Sequence, residues 1–351
     1  MHPFQENLQT WLSRKLASSE QNHCYEVPLV LATDIGLVRT ENQDRAAALY
    51  TGKKSINPLF VIAVADGMGG MRDGGICANL ALSSFFHAII QYRNLDIRAR
   101  ATEAIKEANN QVFDKYRGGG GSTLTAVLFD SLGTKIIVHL GDTRIYTFGP
   151  NKKVERHTTD DSLAEAVGGI GRELLQFVGM GESMQPKISE ITHQAGFCAI
   201  TTDGIHGIEE RTLNKILANS ESIEQASDRL SAVSKWCGGI DNSTSAIFDI
   251  SEISSSITEY ESSGIRVWDS GGDLTTLWLR EEDHAFNIKQ ARNIEAEELR
   301  RKPKHDSQLL EESAAKPVKK SRSNTGRSKS KKQDGNYQEK IQLDIEIGNS
   351  D

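Results

Sequence analysis

Short runs of Val, Ile, Leu and Phe alternate with breaks rich in Gly, Asp and Asn between Tyr25 and Ile250. Seven of these runs, at 27–32, 59–65, 123–129, 135–140, 144–148, 197–202 and 244–250, predict strands, because each is short, apolar and bounded by turn formers. Two stretches between the second and third runs carry a helical period instead. One covers 75–92; the other covers 97–116, where Ala101, Ala104, Ile105 and Ala108 recur at helical spacing until the glycines at 118–121 end it. A further helix is predicted near 221–236. Strands in runs with helices grouped between them argue for α+β layers over a doubly wound parallel sheet.

The pattern changes outside this segment. Phe4, Leu8, Trp11, Leu12 and Leu16 form one face of an N-terminal amphipathic helix within 1–24, suited to pack on the parent domain or a partner. The glycine-rich stretch 156–186 predicts an irregular surface flap with one short helix. Past Ile250, residues 264–280 predict a hairpin around Ser270-Gly271-Gly272-Asp273, and 285–301 a charged helix. Residues 302–340 are rich in Lys, Ser, Asn and Gln and poor in large apolar groups, so a basic disordered linker is expected. The alternation Ile341-Gln342-Leu343-Asp344-Ile345-Glu346-Ile347 suits an edge strand added to this protein's own sheet or to a protein partner's. The expected division is therefore 1–24, 25–250, 251–301, 302–340 and 341–351.

Composition narrows the function. With 37% hydrophobic and 25% charged residues, the 351-residue chain is ordinary for a protein with a real core. No apolar run approaches the roughly 20 residues of a membrane helix, and the N-terminus lacks a signal-type apolar stretch, so no membrane partner is expected. Cys24, Cys77, Cys198 and Cys237 are far apart and form no CxxC pair, which predicts reduced, structural thiols and a cytoplasmic protein. The net charge of −7 conceals a division. Residues 301–340 hold twelve basic against five acidic side chains, whereas the first 300 residues carry −11. An acidic body disfavours nonspecific nucleic-acid binding and suits carboxylates that await cations.

Most of those carboxylates sit where an apolar run stops. Asp44 lies in Asn42-Gln43-Asp44, and Asp66 follows the run Phe60-Val61-Ile62-Ala63-Val64-Ala65 and opens Asp66-Gly67-Met68-Gly69-Gly70. Asp142 lies in Gly141-Asp142-Thr143-Arg144, Asp203 in Thr202-Asp203-Gly204, and Asp241 beside Asn242. Each alone is an ordinary turn or cap. Together, rigid strand-end carboxylates form a hard oxygen site for Mg²⁺ or Mn²⁺, suited to metal-assisted attack of water on a phosphate ester. Arg39, a few residues before Asp44, offers a fork for phosphate oxygens, or simply a surface ion pair. Gly121-Ser122-Thr123-Leu124-Thr125 reads as tight packing at a strand start.

In this order the motifs resemble the metal-dependent protein phosphatases (the PPM or phosphatase 2C-like family), particularly compact bacterial members, over about residues 33–250. The resemblance implies a β-sandwich of two antiparallel sheets flanked by helices, a four-layer αββα arrangement. It implies that Asp66 bridges two metals, that the Gly67 carbonyl completes one, and that Asp203 and Asp241 hold the other. Asp142 with Asp203 would recruit a third metal, Asp44 would support the activated water, and Arg39 would bind phosphate. It further implies a phosphoserine/phosphothreonine phosphatase that opposes a Ser/Thr kinase on a phosphorylated protein substrate. Two departures stand out. Met68 replaces a histidine proposed as general acid in many relatives, and Gln43 replaces a common Glu. With the C-terminal extension they motivate the alternative of a weakly active, phosphoprotein-binding regulator.

Overall fold

Two antiparallel sheets pack face to face, and the alternation of apolar residues explains why. The computed structural model describes residues 2–149, 151–168, 173–193, 195–260, 264–277 and 345–346. One sheet has six strands: β1 (Ser19–Cys24), β2 (Leu29–Asp34), β7 (Arg144–Phe148), β8 (Glu155–Arg156), β10 (Phe197–Thr201) and β11 (Ser243–Asp249). They lie in the order β1-β2-β11-β10-β7-β8. The other sheet contains β3 (Asp44–Tyr50), β4 (Leu59–Asp66), β5 (Leu124–Asp130), β6 (Lys135–Leu140), β9 (Lys187–Glu190), β12 (Gly264–Asp269), β13 (Gly272–Leu277) and β14 (Ile345–Glu346). Its order is β14-β13-β12-β3-β4-β5-β6-β9. Leu29 and Leu31 of β2 meet Phe60, Ile62 and Val64 of β4 in the inter-sheet core, while Val30 between them faces the opposite side.

Helices close both outer faces. On the eight-stranded sheet, α2 (Gly74–Gln91) packs on β3 and β4 and α3 (Ile97–Tyr116) on β5 and β6, with α1 (Pro3–Leu12) laid against α2. α2 is long and apolar enough to cross a membrane, contrary to the sequence expectation that no segment is; in the structure it is mostly buried. Its apolar surface is needed because sheet and helices surround it. On the other face α5 (Asp203–His206), α6 (Glu210–Ala218) and α7 (Ile223–Trp236) bury Ile205, Leu213, Leu217 and Leu230 against β10 and β11. α8 (Ile250–Glu259) drives Ile250, Ile253 and Ile257 into the core between the sheets. The flap holds α4 (Leu163–Val167), capped by Ser162, and a 3₁₀ turn at Gly181–Ser183.

Several expectations need correction. The first predicted strand begins at Leu29 rather than 27, and β1, β3, β8 and β9 went unpredicted, as did α5, α6 and α8. β1 is polar because it is an edge strand paired only with β2. β3 reads Asp-Arg-Ala-Ala-Ala-Leu-Tyr, and its small residues accommodate α2 on one side and the core on the other. Cys24, Cys77 and Cys198 are buried free thiols as expected, but Cys237 is exposed. The hairpin is present as β12 and β13, and β12 extends the large sheet by pairing with β3. Arg14 grips Asp269 of β12 through two bonds of 2.5 and 2.6 Å, fastening the N-terminal segment to it. Ile345 and Glu346 pair with β13, while the predicted helix at 285–301 and the linker at 302–340 lie outside the described residues.

Candidate active site

Strand register brings the acidic turns to one edge of the sandwich. Asp44 begins β3 and Asp66 ends β4, and the two are register partners across the antiparallel pair. On the facing sheet Asp203 follows β10 by two residues, and Asp241 precedes β11 by two. Asp142 sits in the turn between β6 and β7. Asp203 acts electrostatically on Asp44, Asp66, Asp142 and Arg39, so these five groups share one field.

Uncharged side chains hold this edge in shape. Thr202 Oγ1 donates to Asp44 Oδ2 at 2.8 Å, and the Asp44 amide donates to Asn42 Oδ1 at 3.1 Å. The Asp66 amide donates to Thr123 Oγ1 at 2.9 Å, and its carbonyl accepts from Ser122 Oγ at 2.9 Å and from the Thr123 amide at 2.8 Å. Asn242 stitches two loops together. Its Nδ2 donates to the carbonyls of Ile35 and Glu41 at 2.9 and 3.0 Å, and its Oδ1 accepts from the Gln43 amide at 2.8 Å. Thr202, Asn242, Asn42, Ser122 and Thr123 were not singled out as site-forming from sequence. The only local signal is a small polar residue at each strand end.

The glycines after Asp66 and Asp203 answer to close backbone approach. A side chain on Gly67 would strike the backbone of Gly74, and one on Gly204 the carbonyl of Asn242. The Gly67 amide donates to the Gln43 carbonyl at 3.2 Å, and the Met68 amide to the Gly121 carbonyl at 3.1 Å. Gln43 Oε1 and Arg39 Nη1 both lie over Gly69.

Like charges at short range dominate the electrostatics. Loss of hydration, then Asp44, Asp203 and Asp142, holds the Asp66 carboxyl well above the usual carboxylate range. Desolvation, with Asp203 adding to it, pushes Asp44 up to about 7 despite the Thr202 bond. Desolvation and then Asp203 likewise push Asp142 up to about 7. Asp44 is buried, whereas Asp66, Asp142 and Asp203 keep partial contact with solvent, as groups that meet a ligand must. Arg39 instead bonds Asp241 Oδ2 at 2.7 Å, a contact that heads the causes raising its pKa.

Among the described residues no three His, Cys, Asp or Glu side chains are gathered tightly enough to hold a metal as they stand. Asp44 is engaged by Thr202 and Asp241 by Arg39. The donor chemistry nevertheless fits a hard divalent cation, because the crowded ligands are carboxylates whose mutual repulsion such an ion would relieve. A soft metal has nothing comparable here, since the cysteines are dispersed and Cys198 is fully buried.

Residues 38–238 match a family model described as protein phosphatase 2C. The serine/threonine protein phosphatase PstP of Mycobacterium tuberculosis is 26% identical over 238 residues, covering 62% of this chain but only 44% of that relative's length. Among solved structures, the PPM Ser-Thr phosphatase MsPP of Mycobacterium smegmatis, in complex with cacodylate, is similar at 28% identity with a TM-score of 0.53. That similarity covers 63% of this chain and 97% of MsPP. The catalytic domain of PstP, solved with two manganese ions, shares the fold at 24% identity and a TM-score of 0.52 over 64% of this chain and 99% of that one.

Proposed function

The chain belongs to the protein phosphatase 2C family, and from that membership we propose that it is a phosphoserine/phosphothreonine protein phosphatase. The observation that carries the proposal is the acidic edge itself, where Asp44, Asp66, Asp142 and Asp203 crowd together next to a guanidinium. Asp66 would be shared by two Mn²⁺ or Mg²⁺ ions, with the Gly67 carbonyl on one and Asp203 and Asp241 on the other. Asp142, with Asp203, would hold a third. The manganese-bound PstP domain supports this choice of cofactor. When bound, such ions supply Lewis acidity and lower the pKa of water.

The chain's own groups do the rest. Arg39 would leave Asp241 and take two phosphoryl oxygens in its fork, neutralising charge there. Asp44, fixed at Oδ2 by Thr202, is placed to hold a proton near neutral pH. Met68 and Gln43 offer no titrating group, so solvent would protonate the departing serine or threonine alkoxide. We place the enzyme in the cytoplasm, acting on a protein phosphorylated by a Ser/Thr kinase. The test is Mn²⁺- and Mg²⁺-dependent release of phosphate from p-nitrophenyl phosphate and a phosphothreonine peptide. Purified chain that turns over neither would defeat the proposal.

A further inference from the structure

Two loops meet immediately beside this site and leave large apolar side chains in solvent. The loop after β2 carries Leu37 and Val38 and runs directly into Arg39. The other segment starts at Trp236, the last residue of α7, passes Ile240 and runs directly into Asp241. Trp236 is 86% exposed, Leu37 69%, Val38 64% and Ile240 61%, four large apolar side chains on two adjoining segments rather than scattered singly.

The loops are locked together. The Leu37 amide donates to the Gly239 carbonyl at 2.7 Å. A side chain at Gly239 would stand 3.0 Å from Leu37 Cγ, and one at Gly36 would be pressed against the carbonyls of Gly239 and Asp241. Arg39 and Asp241, joined at 2.7 Å, close the patch at its inner end, and Asn242 pins both loop roots. The apolar groups are therefore displayed on a braced surface.

From this we infer that Leu37, Val38, Trp236 and Ile240 form a docking surface for apolar side chains that flank the phosphorylated residue of a protein substrate. The inference rests on the phosphatase proposal and adds to it a substrate class. The occupant follows from continuity: the patch runs into Arg39 and Asp241, so a polypeptide whose phosphate sits on Arg39 brings its flanking side chains within reach of it. Its chemistry follows from the lining, since the segments 36–38 and 236–240 contain no charged side chain, so a solvated charged segment would lose hydration there without compensation. At about 3.3 Å of extended chain per residue, the contacts fall within the first few positions on either side of the phosphoresidue. A tryptophan at such a place is a typical binding anchor.

The experiment compares two phosphothreonine peptides of equal length and charge, one flanked by Leu, Ile and Phe and the other by Ser, Gly and Asn. Wild-type chain and the variant Leu37→Ser/Trp236→Ser are assayed with each and with p-nitrophenyl phosphate. We expect wild type to favour the apolar peptide by about tenfold or more in kcat/KM, the variant to lose that preference, and both to hydrolyse p-nitrophenyl phosphate alike. Equal kcat/KM for the two peptides, or a preference untouched by the substitutions, overturns the inference. So does sedimentation showing a dimer that Trp236→Ser dissolves, because the patch would then be covered by a second copy. If wild type hydrolyses no substrate at all, the catalytic proposal fails, and fluorescence polarisation judges the surface alone. Tighter binding of the apolar peptide to wild type than to the variant then upholds it, and equal binding overturns it.

Discussion

Two groups of aspartates lie on either side of the turn Gly141-Asp142-Thr143-Arg144, and they treat charge in opposite ways. At the flap root, Asp160 accepts from Arg144 through both oxygens and from Arg156 at 2.6 Å, while Asp161 meets Lys187 at 2.5 Å and accepts from the Gly141 amide at 3.1 Å. In the site, Asp44, Asp66 and Asp142 are held above the usual carboxylate range by desolvation and by one another's charge or that of Asp203. A sheltered carboxylate needs compensation. The flap-root pair receives it from the chain's own cations and becomes a fastener. In the site group, desolvation and mutual repulsion outweigh such help, so a cation from outside would relieve it.

Removing one member of each group is the strongest way to break that contrast. Asp66→Asn deletes a carboxylate from the self-repelling cluster. It should lower metal-dependent turnover on the order of 10²–10³-fold, as for losing a few kcal/mol of transition-state stabilisation, while leaving the thermal midpoint in EDTA unchanged or higher. Asp160→Ala should do the reverse. It strands Arg144 and Arg156, both four-fifths buried, and should cost about 3 kcal/mol of stability by urea unfolding. If Asp66→Asn destabilised the metal-free protein as much as Asp160→Ala does, the two groups would not differ as argued.

How much of this was legible in the sequence depends on whether a residue's role is local. Asp66, Asp142, Asp203 and Asp241 announced themselves because an apolar run followed or preceded by Asp-Gly, Gly-Asp or Asp-Asn is a local pattern. β3 did not, because Ala46-Ala47-Ala48 lacks the β-branched signature of a strand, and its small residues are chosen by α2 above and the core below. Asp44 was therefore picked out by its turn and given its role by resemblance, not by its own strand. Thr202 serves Asp44, 158 positions earlier, and Asn242 serves Gln43, 199 positions earlier, so neither function is visible locally. Ser122 and Thr123 immediately precede β5, but they also bind the Asp66 backbone, 56 and 57 positions back.

A smaller effect should appear with pH. Burial and the neighbouring Asp203 charge push Asp44 and Asp142 up to about 7 from the ordinary carboxylate value of 3.8. Between those limits the folded state binds protons that the unfolded state does not, so stability falls as pH rises and the penalty is complete above about pH 7. In EDTA the urea midpoint should therefore be higher at pH 5 than at pH 8. Saturating Mn²⁺ should shrink or reverse that difference by stabilising the ionised carboxylates. A midpoint in EDTA that rises with pH would show that the cluster is not self-repelling.

The smallest effect tests a place where the acidic site borrows a cation from the chain through a direct ion pair. Arg39 holds Asp241 in a pair whose side chains are 44% and 20% exposed, and partly exposed pairs contribute roughly 0.2–1 kcal/mol. If Asp241 is a metal ligand, Arg39 competes with the metal for it. Arg39→Ala should then tighten Mn²⁺ binding by about two- to fivefold in calorimetry, even as it raises KM for a phosphopeptide. Those opposite signs are the point of the measurement. A residue that merely stabilised the site would weaken both affinities when removed, whereas one shared between ligand carboxylate and substrate phosphate must improve the first and impair the second. Arg39 would then stand between the two kinds of aspartate, neutralising its partner as Arg144 neutralises Asp160, but only until a metal ion takes its place.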